Sequence, residues 1–113
     1  MNGIYSANYT GAMGSGSAVL IMKNGEIAGA DVTGGNYQGE YALDDTKGVI
    51  KGKLILTIPA GTQLAMGGSA GTIPLTFEIP FTFPKDFANG QVLPLDTVYG
   101  PLNVMFNYIR DVI

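Results

Sequence analysis

The chain contains few side chains that are able to do chemistry. It has no histidine and no cysteine, so a catalyst would have to use carboxylates, lysines, tyrosines or hydroxyls. Glu26 and Glu40 are the carboxylates that neighbouring strands can bring together, as a glycosidase requires. The alternative, which we favour, is that both are solvated strand residues. The sequence therefore predicts no enzyme and no catalytic residues.

Three further acidic residues lie next to turns. Asp31 follows a glycine-containing bend, where it either caps the next turn, as we favour, or binds a ligand. Asp44 and Asp45 open "DDTKG" (44–48), which lacks the alternating oxygen ligands and the closing glutamate of a calcium loop. Asp at the first positions and Gly at the end are typical of a turn. We predict no metal site and no cofactor.

The element that shows its structure most clearly is the segment "TIPLTFEIPFTF" (72–83). Apolar residues occupy every second position, which predicts a long strand with one buried face: Ile73, Leu75, Phe77, Ile79, Phe81 and Phe83. Pro74 and Pro80 fall on the same parity, so their missing N–H groups point toward the same strand edge. A seam or a bend is expected at that edge.

Other segments show the same alternation. Asn24-Gly25 supplies the two positive-φ positions of a type I′ hairpin turn. A single helical turn is expected at 62–66, and "AVLIMK" (18–23) is predicted to be covered on both faces. The predicted strands are 3–10, 18–23, 26–32, 37–43, 49–58, 72–83, 101–110 and, less clearly, 91–95. The residues predicted to face inward include Ile50, Leu54, Leu56 and Ile58; Tyr37, Gly39, Tyr41 and Leu43; and Leu102, Val104, Phe106 and Tyr108.

Seven or eight sequential antiparallel strands form either a sandwich or a closed barrel. Gly29, Gly39 and Gly52 lie in mid-strand, where a small barrel needs sharp bends. A chain of 113 residues is long enough for one core. The sequence therefore predicts an all-β fold, a small antiparallel up-and-down barrel that forms a single domain over residues 1–113.

The interior of such a barrel is either filled by side chains or holds one small ligand. We favour a filled interior. The alternative is a carrier that binds a small apolar ligand among Tyr41, Phe77 and Phe81. The connector 59–71 is long for a loop between strands, and we expect Leu64 and Met66 to pack over a barrel mouth or against another subunit, unless the connector is simply mobile.

Charge and hydropathy exclude several partners. The net charge is −3 and the cations are scattered, whereas nucleic-acid binding needs clustered Lys and Arg. The longest aliphatic run, residues 18–22, is far shorter than the roughly 20 residues that span a bilayer. The N-terminus lacks the pattern of a signal peptide, and the absence of cysteine fits a reducing compartment. We expect a soluble, cytoplasmic protein without direct contact to nucleic acid or membrane.

Four short motifs resemble one bacterial family. "GIYS" (3–6), "KNG" (23–25), "GAD" (29–31) and "YQG" (37–39) are similar to the pattern of the GrlR-type negative regulators of type III secretion, over roughly residues 2–43. The resemblance implies a lipocalin-like barrel that forms a dimer and restrains a transcriptional activator, without catalysis or DNA contact. That family has four acidic residues in a row after the "YQG" strand, whereas this chain has "LDDTKG".

The prediction for function is a non-enzymatic regulatory barrel that binds other proteins. Its partner contacts are expected at the outer face and at the turn that contains Asp44, Asp45 and Lys47. A homodimer is expected to use either the strand face of Leu20 and Met22 or the connector that contains Leu64 and Met66. The small-ligand carrier remains the alternative.

Overall fold

A computed structural model describes residues 2–112 of the chain, and this part consists of eight antiparallel strands without a helix. The predicted all-β, up-and-down barrel is confirmed. The strands are β1 (Gly3–Gly11), β2 (Gly14–Lys23), β3 (Glu26–Asp31), β4 (Asn36–Asp44), β5 (Val49–Ile58), β6 (Leu75–Pro84), β7 (Asn89–Thr97) and β8 (Gly100–Arg110).

The strands follow the order β6-β5-β4-β3-β2-β1-β8-β7 in a single sheet. Strands β1 to β6 therefore form a meander, and β8 pairs with β1, so that Ala7 lies opposite Phe106. Within residues 2–112 no ladder joins β6 to β7, although the two strands follow each other in the chain. The seam or bend predicted from Pro74 and Pro80 is confirmed as a seam at Pro80, whereas Pro74 lies just before β6.

The hairpin between β2 and β3 has the predicted turn. Asn24 and Gly25 have φ values of 52° and 85°, and Lys23 pairs with Glu26 on either side of them. Two positive φ values match the right-handed twist of the flanking strands, which is why Asn-Gly is favoured there.

The mid-strand glycines lie where neighbouring backbones come close together. A Cβ atom at Gly29 would overlap the carbonyl oxygen of Val19, and one at Gly52 would overlap that of Glu40. Gly39 has the same relation to the carbonyl oxygen of Lys53. A side chain at any of these positions would force adjacent strands apart, so the tightly coiled sheet requires glycine there.

Aromatic rings fill the end of the barrel at which β6 meets β7. The Phe87 ring lies 5.5 Å from that of Phe106 and 5.4 Å from that of Tyr5, and the Phe83 and Phe106 rings are also 5.5 Å apart. Each buried ring contributes roughly 1.5–3 kcal/mol by leaving water. Phe87 was absent from the predicted core because it lies in the connection 85–88, outside the alternating pattern of any strand.

Three residues predicted to face inward are exposed. Ile73 is 72% exposed because β6 begins only at Leu75. Leu43 and Tyr108 are 38% and 48% exposed, and both lie near the ends of their strands. The register between β1 and β8 also shifts between Ile4 and Tyr5, close to Tyr108.

Strand β2 and the 59–71 connector differ from the predictions. Val19 and Ile21 are 49% and 42% exposed, so β2 is covered on its inner face only. Leu20 and Met22 are 4% and 3% exposed and belong to the core, which makes the prediction that they form a dimer surface wrong. Residues 62–66 form no helical turn, because Gln63 makes an antiparallel bridge to Ser69 across a tight loop.

Candidate functional site

A cluster of polar side chains lies at one end of the barrel, which we call the mouth. The mouth is formed by the β1–β2, β3–β4 and β7–β8 turns together with the 59–71 connector. Asp31 ends β3, Tyr37 lies near the start of β4, and Tyr9 lies near the end of β1. The up-and-down order of the strands therefore brings the three side chains together.

Asp31 accepts five hydrogen bonds. Its Oδ1 atom accepts from the Thr33 backbone N–H at 2.9 Å, from the Thr33 hydroxyl at 2.6 Å and from the Gly35 N–H at 3.0 Å. Its Oδ2 atom accepts from the Tyr37 hydroxyl at 2.7 Å and, more weakly, from the Tyr9 hydroxyl at 3.3 Å. These bonds tie β1, β3 and β4 to one carboxylate.

The environment shifts the pKa values of all three acidic groups. Burial by itself raises the pKa of the Asp31 carboxyl, but the hydrogen bonds from Thr33, Tyr37 and Gly35 outweigh it and hold that pKa below its usual value. Burial, followed by the hydrogen bond to Asp31, raises the pKa of Tyr37 far above its usual range. Burial and the negative charge of Asp31 also raise the pKa of Tyr9. Asp31 is therefore a carboxylate held by neutral phenols.

This arrangement is structural. A carboxylate offers about four lone-pair positions, and five donors already occupy those of Asp31. No lone pair is left to bind a cation or to accept a proton from a substrate. The prediction that Asp31 caps the next turn is confirmed, since its bonds to Thr33 and Gly35 fix the β3–β4 turn.

The 59–71 connector closes the mouth. Leu64 and Met66 are 5% and 7% exposed, and the Met13 N–H donates to the Ala65 carbonyl at 2.7 Å. The Ala70 N–H donates to the Thr62 carbonyl at 2.8 Å, so the connector is also bonded to itself. The prediction that Leu64 and Met66 pack over the mouth is confirmed, and the connector acts as a plug.

Two cavities inside the barrel are small. The one beneath the plug measures about 70 Å³ and extends from Asp31 and Tyr37 toward Leu54 and Phe77. The second measures about 20 Å³ and is lined by apolar side chains that include Phe81. An engineered apolar cavity of about 150 Å³ is known to hold one benzene molecule. Neither cavity offers half of that volume, so side chains fill the interior.

The three residues predicted for the ligand carrier do not share a cavity. Phe77 lines the larger cavity and Phe81 lines the smaller one. Tyr41 is partly buried, and its hydroxyl lies 3.4 Å from Asn2 Oδ1. The structure therefore brings these three side chains to three different places.

The residues predicted for partner binding form an exposed turn. Asp44 Oδ1 accepts from the Lys47 backbone N–H at 3.2 Å. Asp45 Oδ1 lies 3.1 Å from Lys85 Nζ, and these two side chains are 74% and 56% exposed. A surface ion pair of this kind contributes about 0–1 kcal/mol. The turn is formed as predicted, and its charged groups remain accessible.

The two carboxylates considered for catalysis lie on the outer face. Glu26 and Glu40 are opposite each other on β3 and β4, and both are exposed. Lys53 Nζ lies 3.9 Å from Glu40 Oε1 and 3.8 Å from Glu78 Oε1. The two glutamates therefore belong to an open row of charged residues on the outer face of the sheet.

A wide surface depression accompanies this row of charges. It lies across the outer faces of β2 to β5 and has a volume of about 750 Å³. Its apolar residues include Ile21, Ala28 and Ile55, and Lys23 and Glu26 stand at one end. The sequence analysis missed this surface because it considered only the inward-facing residues of each strand. The exposed apolar residues of β2 were the available signal.

The remaining findings concern metal ions, membranes and known proteins. Residues 2–112 contain no group of three or more Asp, Glu, His or Cys side chains placed to hold a metal ion. No helix in the same part of the chain is long and apolar enough to cross a membrane. No protein-family model matches the chain, and no curated protein matches it. The resemblance to the GrlR-type family remains a prediction based on its four motifs.

Proposed function

We propose that this protein is a non-enzymatic, protein-binding barrel that acts through its outer surface. The observation that carries the proposal is the combination of a filled interior with an uncharged outer face. The cavities of about 70 and 20 Å³ lie far below the 300–1,000 Å³ that is usual for ligand pockets.

The uncharged outer face covers β1, most of β2 and most of β8, and we call it the neutral face. Residues 2–22 and 97–109 include no Asp, Glu, Lys or Arg. Val19, Ile21 and Met105 point outward from this face and are 49%, 42% and 39% exposed. The cores of protein–protein interfaces are likewise depleted of charge. The neutral face therefore has the composition of a binding surface.

A second copy of this chain is the partner that the edge of the neutral face fits best. Large and small residues alternate there between adjacent strands, because Val19 lies opposite Ala30 and Ile21 lies opposite Ala28. A two-fold axis that runs along the strands between β2 and β3 places β2 of one copy over β3 of the other. The large side chains of each copy then fill the space above the alanines of the other copy, as an isologous interface requires.

Charge complementarity supports the same arrangement. Lys23 and Glu26 are directly opposite each other at the end of β2 and β3, and the structure gives no ion pair between them. The same two-fold axis brings Lys23 of one copy to Glu26 of the second copy, and the reverse. Two symmetry-related ion pairs, each between Lys23 of one copy and Glu26 of the other, therefore form at the rim of the interface, where they favour this register over others.

Light scattering over a concentration series tests the dimer. A mass of twice 11.8 kDa is expected at tens of micromolar, and Ile21→Lys should reduce it to the monomer mass. Ile73→Lys is the matched control, since Ile73 is also an exposed isoleucine but lies away from the neutral face. Lys23→Glu should weaken the dimer, and Lys23→Glu combined with Glu26→Lys should restore it. A monomer mass for the unmodified protein throughout the series would contradict the proposal.

For the regulatory role we propose that the barrel restrains a transcriptional activator, with Asp44, Asp45 and Lys47 in the contact. Support comes from the exposure of this turn and from the motif resemblance. Co-purification from the native cell is the test, and Asp44→Asn combined with Asp45→Asn should release the partner while the dimer persists. Recovery of no stoichiometric partner would contradict the regulatory role.

We also propose a cytoplasmic location, which cell fractionation tests.

The carrier alternative has no support from the interior volume. Native mass spectrometry of freshly purified protein separates the two functions, because a carrier retains or accepts a small molecule. We expect the mass of the polypeptide alone. A retained apolar molecule would favour the carrier function over the protein-binding function.

A further inference from the structure

The contact between β6 and β7 differs from every other strand contact in residues 2–112. All other neighbouring strands of the barrel are joined by antiparallel ladders, whereas none joins β6 to β7. The two strands are nevertheless connected by only the four residues 85–88, a length that is ordinary for a β-hairpin. The absence of a ladder at this seam therefore needs a physical cause.

Prolines supply the cause. Pro80 and Pro84 lie in β6, where they are opposite Lys53 and Val49 of β5. Proline cannot donate a hydrogen bond, so it is tolerated where its nitrogen points away from the ladder. The nitrogens of Pro80 and Pro84, which share the same parity, therefore point toward β7. By the same argument Pro94, opposite Asn103 of β8, points its nitrogen toward β6.

Apolar side chains pack across the inner face of the seam. Phe77, Ile79 and Phe81 on β6 are 8%, 3% and 8% exposed, and Leu93 and Leu95 on β7 are 6% and 8% exposed. Their burial shows that the inner face of the seam is closed. Separating β6 from β7 therefore costs apolar contacts but breaks no backbone hydrogen bond of a ladder. Separating any other pair of neighbouring strands would cost both apolar contacts and ladder hydrogen bonds.

We infer that the β6–β7 seam is the joint at which the barrel opens, and that Pro80 and Pro94 keep this joint from being closed by a backbone ladder. The opening exposes the inner side chains of β7, while every ladder of the sheet, from β6 round to β8 and β7, stays intact. Local openings of this kind occur below the free energy of global unfolding, in the parts of a fold where the local density of contacts is low. The β2–β3 junction, which lies opposite the seam in the strand order, stays closed.

Thiol labelling tests the inference directly, because the natural chain has no cysteine. Leu93→Cys places a thiol on β7 beside the seam, and Leu20→Cys places one on β2 at the opposite side. The two leucines are matched in type and in exposure, at 6% and 4%. Under native conditions we expect the thiol at position 93 to react at least about tenfold faster than the thiol at position 20, with equal rates in denaturant.

Replacing the prolines separates the joint from general instability. Pro80→Val combined with Pro94→Val restores two donors at the seam, so labelling at position 93 should slow by about tenfold while labelling at position 20 does not change. Pro59→Val, in the connector outside the strands, is the control and should change neither rate. Equal native labelling rates at positions 93 and 20 would overturn the inference. Unchanged labelling in the valine variant would also overturn it. Larger species of that variant in light scattering would overturn it as well, because the prolines would then prevent β6 and β7 from pairing with other chains.

Discussion

The two turns at the ends of β4 both carry aspartates, and they differ in the surroundings of those carboxylates. Before β4, Asp31 accepts five hydrogen bonds from residues of two other strands and of the β3–β4 turn. After β4, Asp44 accepts a single bond from Lys47, and Asp45 pairs with Lys85 in solvent. The number of acidic residues therefore says little about which turn matters for the fold.

The difference between these turns reflects burial. Water competes less for the hydrogen bonds of a half-buried carboxylate than for those of an exposed one. Each protein donor therefore stabilises the charged form more strongly. An exposed ion pair contributes little because water stabilises each separated charge almost as well as the opposite charge does. The Asp31 turn therefore stabilises the fold, whereas the charged groups of the Asp44–Asp45 turn contribute little to stability and stay exposed to solvent.

The largest expected effect is that of Asp31→Ala. This change removes the acceptor of five donors and leaves the buried Tyr37 hydroxyl without its partner, so the free energy of unfolding should fall by about 3 kcal/mol. Urea unfolding followed by circular dichroism measures it, with an unchanged slope showing that the same fold is being compared. A loss below about 1 kcal/mol would show that the cluster is replaceable by water.

Acid should remove the same stabilisation from the natural protein. The pKa of Asp31 is lower in the folded state than its unperturbed value of 3.8, so the unfolded state binds more protons and stability falls with falling pH in that window. The gap in unfolding free energy between the natural protein and Asp31→Ala should stay constant above about pH 5 and shrink below about pH 4. A gap that is constant down to pH 2.5 would contradict the assignment.

The two tyrosines should contribute unequally. Tyr37→Phe removes a 2.7 Å bond from a side chain that is 8% exposed, and we expect a loss of about 1–2 kcal/mol. Tyr9→Phe removes a longer bond of 3.3 Å from a partly buried ring, and about 0.5 kcal/mol is expected. Thermal unfolding of both variants measures the order, and a larger loss for Tyr9→Phe would reverse our reading of the cluster.

The smallest effect is expected at the other turn. Asp45→Ala removes one exposed ion pair, so the free energy of unfolding should change by less than about 0.5 kcal/mol. The same urea titration in low and high salt checks this, because any contribution of the pair should disappear as salt screens it. A loss comparable to that of Asp31→Ala would erase the distinction between the two turns.

Much of the fold could be predicted from local patterns. The alternation over 72–83, the Asn24-Gly25 turn and the glycines in mid-strand each have a local cause, namely the period of a strand, positive φ and close backbone approach. Pro74 and Pro80 also predicted the seam, although only Pro80 lies in β6, since a missing N–H is a property of the residue itself. Predictions failed at strand ends, as at Ile73 and Tyr108, because periodicity does not show where the core stops.

The candidate site could be predicted only in part. The role of Asp31 in its turn follows from nearby residues, but its bond to Tyr9 joins strands that lie 22 positions apart. Burial of Leu64 and Met66 was expected, whereas the outward face of Val19 and Ile21 was not, because an apolar strand can be covered on one side or on both. Phe87 escaped prediction because a loop residue has no periodic neighbours.

The sequence by itself determined the class of fold, the turns and the absence of thiol and imidazole groups, since each of these depends on the type of one residue or on its near neighbours. Only the tertiary structure decided how full the interior is, which carboxylate is saturated with donors and which outer face is left without charge. These properties depend on which distant strands become neighbours and on how completely their side chains fill the space between them. That closure is a property of the whole sheet, so no single segment encodes it.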